Sequence, residues 1–150
     1  KRSLRVVLFT NEENGLAGAK AYAQQYFDRD KHIAGIEADI GGGAPLNFNY
    51  KIPEDYLLEE ELVQRLLPIN HALERLGMNG FQAGYAGADI SPLVKKGALG
   101  FGLRMDTSGY WPIHHTQADT LDKIDPENMK KNIAAMAILS WELLNMDLPQ

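Results

Sequence analysis

The 150-residue sequence contains no cysteine, which excludes disulfide bonds, thiolate metal ligands and a cysteine nucleophile. Basic charge is also scarce, since 15 Lys and Arg residues stand against 20 Asp and Glu residues and no basic run exceeds a pair. Nucleic acid is therefore not an expected partner, because phosphate binding requires a basic patch. No apolar run approaches the length of a membrane span, so a membrane is not an expected partner either.

Several short catalytic signatures are missing as well. There is no HExxH, which would place two zinc-binding histidines on one helix, and no GxSxG elbow of a serine hydrolase. The three glycines at 41–43 are not followed by Lys-Ser or Lys-Thr and do not open a helix, so they do not form a phosphate-binding loop.

The remaining pattern predicts one domain, over residues 1–150, in which strands and helices alternate. Such alternation is typical of an α/β three-layer sandwich whose largely parallel central sheet is flanked by helices. Pro68 is expected to kink or break the helix that contains it. The predicted strands are 4–10, 33–39 and 98–103 with a short edge strand at 46–52, the predicted helices are 15–27, 59–76, 89–96 and 126–146, and a long loop covers 104–125.

Polar residues follow the predicted strands at the points where functional groups collect in this class of fold. Glu12 and Glu13 follow the first strand, Asp39 ends the second, and His114 and His115 lie in the long loop after the third. Carboxylates and imidazoles are ligands that zinc accepts. Two adjacent like charges are tolerated where a divalent cation neutralises them, or where one of them must hold a proton during catalysis.

Each of these residues also has a structural interpretation that the pattern leaves open. The glutamate pair could be a solvated loop, Asp39 could open a turn before the glycines, and the histidine pair could lie on the surface. His32 opens a strand and His71 lies within a helix, so both are expected to be structural or exposed.

Four segments, taken together and in this order, resemble the M28 family of zinc-dependent exopeptidases, which includes aminopeptidases and carboxypeptidase Q-like enzymes. The resemblance covers essentially the whole chain and is closest to the carboxypeptidase Q-like branch. The segments are VLFTNEENGLAGAKAYA (7–23), IEADIGGG (36–43), GYAGADISPL (84–93) and YWPIHHTQADTLDKIDP (110–126).

The resemblance assigns roles residue by residue. It implies that Glu12 is the general base and that Glu13 and His115 bind one zinc ion. It implies further that Asp39 binds a second zinc ion and that His114 faces the substrate. The implied substrate is a peptide or dipeptide, and the implied location is secreted or periplasmic.

Three further residues receive supporting roles. Tyr85, four positions before Asp89, would assist the oxyanion, although the family often has Asp-His where this sequence has Asp89-Ile90. Asp89 would support the site, and Asp119 would brace the loop that carries the second histidine of the pair.

One departure separates this sequence from the family pattern. The family's zinc site also needs a His and a bridging Asp from upstream segments, and this sequence has no counterpart of either. We therefore expect the C-terminal portion of a catalytic domain, with doubtful activity and weak or partial zinc binding on its own. Homo-oligomerisation or association with the missing N-terminal half is expected. A non-catalytic M28-like binding domain and a single-zinc acyltransferase of the glutaminyl-cyclase type are the alternatives.

Overall fold

The computed structural model of the protein describes residues 2–148. These residues form four strands and four α-helices, with one 3-10 turn at Leu121–Lys123 before the last helix. A helix separates consecutive strands except between the first two, which follow each other directly. The strands are β1 (Ala34–Glu37), β2 (Pro45–Lys51), β3 (Phe81–Ala83) and β4 (Leu99–Met105), and the helices are α1 (Ala17–Asp30), α2 (Glu59–Glu74), α3 (Ser91–Val94) and α4 (Pro126–Asn145).

The strands form one sheet in the order β1-β4-β2-β3. The pairs β1–β4 and β2–β3 are parallel, whereas β2 and β4 are antiparallel. The α/β class is therefore confirmed, with a mixed sheet in which two of these three pairings are parallel.

Strand β4 alternates large residues with glycine, and this alternation builds the two faces of the sheet. Leu99, Phe101, Leu103 and Met105 are buried in a core that also contains the apolar faces of α2 and α4. The glycines face the opposite layer, where a Cβ at Gly100 would lie 2.7 Å from Val94 and one at Gly102 would lie 1.9 Å from the carbonyl oxygen of Ala86. Glycine thus lets α3 and the chain before it lie directly on the sheet.

Helix α4 begins as its sequence predicts. The Asp125 side chain accepts hydrogen bonds from the backbone N–H groups of Glu127 and Asn128, both at 2.8 Å, and Pro126 occupies the first turn. Helix α2 also agrees with its predicted span, except that it continues through Pro68 without a break.

The first predicted strand is wrong. Residues 4–10 form no strand, and Leu4, Val6 and Leu8 are 59%, 80% and 89% exposed. An open cavity of about 1130 Å³ lies between residues 2–9 and the edge strand β1, so residues 2–148 place no strand beside this segment to pair with it. An apolar sequence becomes a strand only where a neighbour accepts its backbone hydrogen bonds.

The predicted edge strand at 46–52 is also corrected. Strand β2 occupies this segment but lies inside the sheet, between β4 and β3. The edge on this side of the sheet belongs to β3, whose three residues are too few to give a periodic signal.

Candidate functional site

The glutamate pair lies in a tight loop folded against the start of α1. The backbone N–H of Leu16 donates to the carbonyl oxygen of Glu12 at 2.9 Å, and that of Gly18 donates to Thr10 at 3.1 Å. A Cβ at Gly18 would lie 2.3 Å from the Thr10 carbonyl oxygen, so glycine permits this approach. Asn11 and Leu16 adopt left-handed backbone conformations, with φ of 64° and 60°. Such conformations are uncommon outside glycine and often occur at functional sites.

Asp39 lies two residues beyond β1, at the start of the glycine loop. Its carbonyl oxygen accepts a hydrogen bond from the N–H of Gly41 at 3.0 Å, which makes a turn. The loop packs closely on the long segment after β4, because a Cβ at Gly41 would lie 3.1 Å from the Tyr110 ring and one at Gly43 would lie 1.9 Å from the Asp106 carbonyl oxygen. The glycines therefore bring Asp39 to the segment that carries the histidine pair.

His115 completes this arrangement through a direct side-chain contact. Its Nε2 lies 2.7 Å from Oε1 of Glu13, which is 102 positions away in the chain. Both side chains are largely exposed, at 60% for the histidine and 68% for the glutamate. His115 also has a left-handed φ of 60°, so the backbone is held in an unfavourable conformation where it presents this imidazole.

His114 is part of an aromatic group beside the histidine–glutamate contact. Its ring stacks on Tyr110 with centroids 4.6 Å apart, meets Trp111 edge-on at 5.6 Å, and lies 3.7 Å from the His115 ring. Trp111 is 62% exposed. Tyr110 and Trp111 lie four and three positions before His114, and neither was among the site residues predicted from the sequence.

Burial and neighbouring charges shift the pKa of Glu12. Partial burial raises the pKa of Glu12, and the negative charges of Glu13, Asp89 and Asp39 raise it further, while His115 acts in the opposite direction. A raised pKa makes a carboxylate a better proton acceptor at neutral pH.

Tyr85 and Asp89 lie on the loop between β3 and α3. Tyr85 is 62% exposed, and partial burial followed by the nearby carboxylates, Glu37 first among them, raises the pKa of its phenol. Burial and the charge of Asp39 raise the pKa of Asp89. Oδ1 of Asp89 is buried and has no hydrogen-bond partner among the described residues.

The loop around the histidine pair is braced by Thr116. Its hydroxyl donates to the carbonyl oxygen of Ile113 at 2.6 Å and accepts from the N–H of Ala118 at 3.1 Å. The backbone N–H of Asp119 donates to the Thr116 carbonyl oxygen at 3.2 Å, while the bracing role of the Asp119 side chain stays a prediction.

The other two histidines lie elsewhere. His32 is hydrogen-bonded to the Tyr22 hydroxyl at 2.7 Å and stacks on Phe27, beside α1. His71 lies on the surface of α2, where its side chain is 88% exposed.

Asn132, which the sequence analysis missed, anchors the glycine loop. It is buried on α4, and its side-chain amide donates to the carbonyl oxygen of Gly43 at 3.1 Å. A polar residue on the buried face of an amphipathic helix is the signal that points to such an anchor.

The donor types of this site suit zinc, but their number is incomplete. Glu13 and His115 already lie together, and Asp39 offers a further carboxylate nearby. Within residues 2–148, however, no group of three or more histidine, aspartate and glutamate side chains is arranged to hold a metal ion. A catalytic zinc normally takes three protein ligands, and the described residues do not bring such a set together.

Two curated proteins are similar to this chain over nearly its whole length. Carboxypeptidase Q from Xenopus laevis is 33% identical over 152 residues, and carboxypeptidase Q from Mus musculus is 30% identical over 149 residues. Each alignment covers 98% of this chain, and the chain spans about 30% of the length of these curated relatives.

A solved structure is similar over nearly the whole chain. The crystal structure of a Peptidase M28 precursor from Shewanella amazonensis SB2B has a TM-score of 0.83 and 32% sequence identity, covering 95% of this chain and 31% of that one.

No helix within residues 2–148 is both long enough and apolar enough to cross a membrane. Residues 1–140 match the model of Peptidase family M28, and the chain belongs to that family.

Proposed function

We propose that this chain forms part of a zinc-dependent exopeptidase that hydrolyses terminal peptide bonds of peptides or dipeptides. The observation that carries the proposal is the 2.7 Å contact between His115 and Glu13, with Glu12 adjacent to it. Membership of family M28 and similarity to proteins named carboxypeptidase Q support a peptidase.

Glu12 is the proton acceptor in this proposal. Partial burial and the neighbouring carboxylates raise its pKa, so it takes a proton from the attacking water more readily than an isolated carboxylate does. The same side chain then delivers the proton to the leaving amine. It follows directly after Asn11, whose φ is left-handed, and its backbone carbonyl accepts a hydrogen bond from Leu16 at the start of α1. These constraints restrict the backbone of Glu12 before the substrate arrives.

Glu13, Asp39 and His115 are the proposed zinc ligands, with two zinc ions in a complete catalytic domain. Zinc, when bound, supplies Lewis-acid activation of water and stabilises negative charge in the transition state. Within this chain the imidazole and the carboxylate of one proposed ligand pair already meet.

Tyr85 and the aromatic group are assigned to the substrate. The raised pKa of the Tyr85 phenol keeps it protonated, so its O–H can donate to a developing oxyanion. His114 and the exposed Trp111 offer an aromatic surface beside the site for a substrate side chain. Secretion or export to the periplasm is part of the same proposal.

A non-catalytic binding domain is the second candidate. It is favoured by one observation, namely that residues 2–148 contain no group of three metal-binding side chains. The single-zinc acyltransferase differs from the peptidase in metal content, because it would bind one zinc ion and not two.

The test uses a polypeptide of the relatives' full length that contains this sequence. Its zinc content is measured by elemental analysis, and aminoacyl-anilides and dipeptides are offered as substrates. Two zinc ions per chain with hydrolysis support the exopeptidase. One zinc ion without hydrolysis indicates the acyltransferase, and no zinc indicates the binding domain.

A further inference from the structure

Glu37, the last residue of β1, directs its carboxylate to the backbone of the loop that precedes α3. Its Oε1 accepts a hydrogen bond from the N–H of Ala88 at 2.8 Å, and its Oε2 accepts one from the N–H of Ile90 at 2.9 Å. Each carboxylate oxygen therefore holds one amide of the same loop. Hydrogen bonds to an ionised acceptor are stronger than those between neutral groups.

The loop is shaped to receive this carboxylate. Gly87 lies directly against it, because a Cβ at that position would lie 2.3 Å from Cδ of Glu37 and 2.4 and 2.6 Å from its two oxygens. Gly87 also has φ of 153°, a conformation that residues with a side chain rarely adopt. Glutamate at 37 and glycine at 87 thus form one matched pair.

The strand sets the direction of the Glu37 side chain. Residues 35 and 37 point to the same face of β1, since side chains alternate along a strand. On that face a Cβ at Gly35 would lie 3.0 Å from Ile90. The strand and the loop therefore already lie close together at Gly35, two residues before Glu37.

The loop held by Glu37 carries Tyr85 and Asp89, both of which interact electrostatically with Glu12. We propose that Glu37 is a positioning residue, whose carboxylate fixes residues 85–90 and thereby holds the Tyr85 phenol and the Asp89 carboxylate beside Glu12. We call the two hydrogen bonds from Ala88 and Ile90 to the Glu37 carboxylate the clamp. The clamp follows from these distances, whereas its effect on turnover rests on the proposed function.

Amide hydrogen exchange in the full 150-residue chain tests the clamp without any activity. Glu37→Gln keeps the size of the side chain but offers one acceptor oxygen where the carboxylate offers two. We expect the N–H of Ala88 or of Ile90 to exchange about tenfold faster or more, because a hydrogen bond to a charged group is lost. Glu60→Gln, an exposed change on α2, is the matched control and should leave both rates unchanged. Unchanged rates in Glu37→Gln overturn the clamp.

A second experiment keeps the clamp testable if Glu37→Gln does not fold. Through-hydrogen-bond couplings from the amide nitrogens of Ala88 and Ile90 to Cδ of Glu37 are measured in the unmodified chain. The backbone bond from Asp106 to the carbonyl of Ala44, also 2.8 Å long, is the internal standard. Detection of the standard without either coupling to Glu37 contradicts the clamp.

The matched pair gives an independent check. Gly87→Ala should speed exchange of the same two amides, whereas Gly109→Ala, where a Cβ meets no atom within 4 Å, should not. In a Glu37→Ala background, Gly87→Ala should change the exchange rates of these two amides less, because the carboxylate with which the added Cβ would clash is absent. Equal effects in both backgrounds show that the two residues do not interact.

The catalytic consequence is measured in the full-length polypeptide. Glu37→Gln should lower kcat with little change in KM. In the double variant with Tyr85→Phe the two losses in kcat should be less than additive, because both substitutions act through the same phenol. Additive losses contradict positioning of Tyr85 by Glu37. If the wild type has no peptidase activity, the proposed function fails, while the exchange measurements still decide the clamp.

Discussion

Nε2 of His115 lies 2.7 Å from Oε1 of Glu13, which joins the long loop after β4 to the loop before α1. Both loops are constrained where they meet, because His115 has a left-handed φ and the backbone of the glutamate loop is hydrogen-bonded to α1. The structure therefore maintains an exposed imidazole–carboxylate pair at the cost of backbone strain. Strain of this kind is retained where a site requires a fixed geometry.

Glu13→Gln should lower zinc affinity in the full-length polypeptide. The amide is a much weaker zinc ligand than a carboxylate, and it no longer offers a negative charge opposite His115. Zinc content after dialysis against a metal buffer is the measurement. Unchanged zinc content would show that Glu13 is not a ligand.

Glu12→Gln should lower turnover without lowering zinc content. It removes a proton acceptor and not a ligand, so zinc content should stay normal while kcat falls by roughly 10²–10⁴-fold. Glu60→Gln on α2 serves as the control for both glutamate variants. Near-normal hydrolysis by Glu12→Gln would exclude this residue as the general base.

Tyr85→Phe should lower kcat with little change in KM, because it removes a contact made mainly in the transition state. The phenol is mostly exposed, so the substitution should not affect folding. Tyr26→Phe on α1 is a control of the same chemistry away from the site. A rise in KM with normal kcat would instead identify Tyr85 as a contact to the bound substrate.

The start of α4 gives a prediction about stability that is independent of catalysis. Asp125→Ala removes the side chain that accepts hydrogen bonds from Glu127 and Asn128, and it should lower the free energy of unfolding by about 1 kcal/mol. Urea unfolding followed by circular dichroism measures the change. Asp55→Ala, in an exposed loop, should have little effect, and equal losses in both variants would rule out a specific cap at Asp125.

The sequence predicts best where one local signal decides the structure. Asp125 and Pro126 mark the start of α4 because a capping side chain and a fixed φ act within one turn. The alternation of β4 is likewise local, since large residues and glycines occupy opposite faces of one strand. The long helix α2 tolerates Pro68 because its buried leucines hold it against the core.

The sequence predicts poorly where a partner at long range decides. Residues 4–10 have the composition of a strand but lie beside an open cavity, so their backbone has no neighbour to pair with. Glu37 was not recognised because nothing near it in sequence shows that Ala88 and Ile90 will come within hydrogen-bonding distance. The ends of the predicted strands indicated Glu12, Glu13, Asp39 and the histidine pair as candidates, and the resemblance to a family then gave each of them a role.

The isolated 150-residue chain should show no peptidase activity and at most weak, sub-stoichiometric zinc binding. Glu13 and His115 provide one pair of ligands, and Asp39 is a single carboxylate for any second ion, so neither ion reaches three protein ligands. The edge of β1 and the exposed apolar side chains of Leu4, Val6 and Leu8 should also favour association with another chain.

Calorimetric titration of the purified chain with zinc measures this, followed by assays with an aminoacyl-anilide and a dipeptide. His115→Gln should abolish the weak binding, whereas His71→Gln, on the exposed surface of α2, should not change it. Adding the upstream segment of a relative in trans should strengthen zinc binding, because it supplies further ligands and a strand for the open edge. Tight binding of two zinc ions with turnover by the chain alone would mean that it contributes ligands not identified here, with His32 and His71 the first to test, and the expectation of an incomplete site would then be wrong.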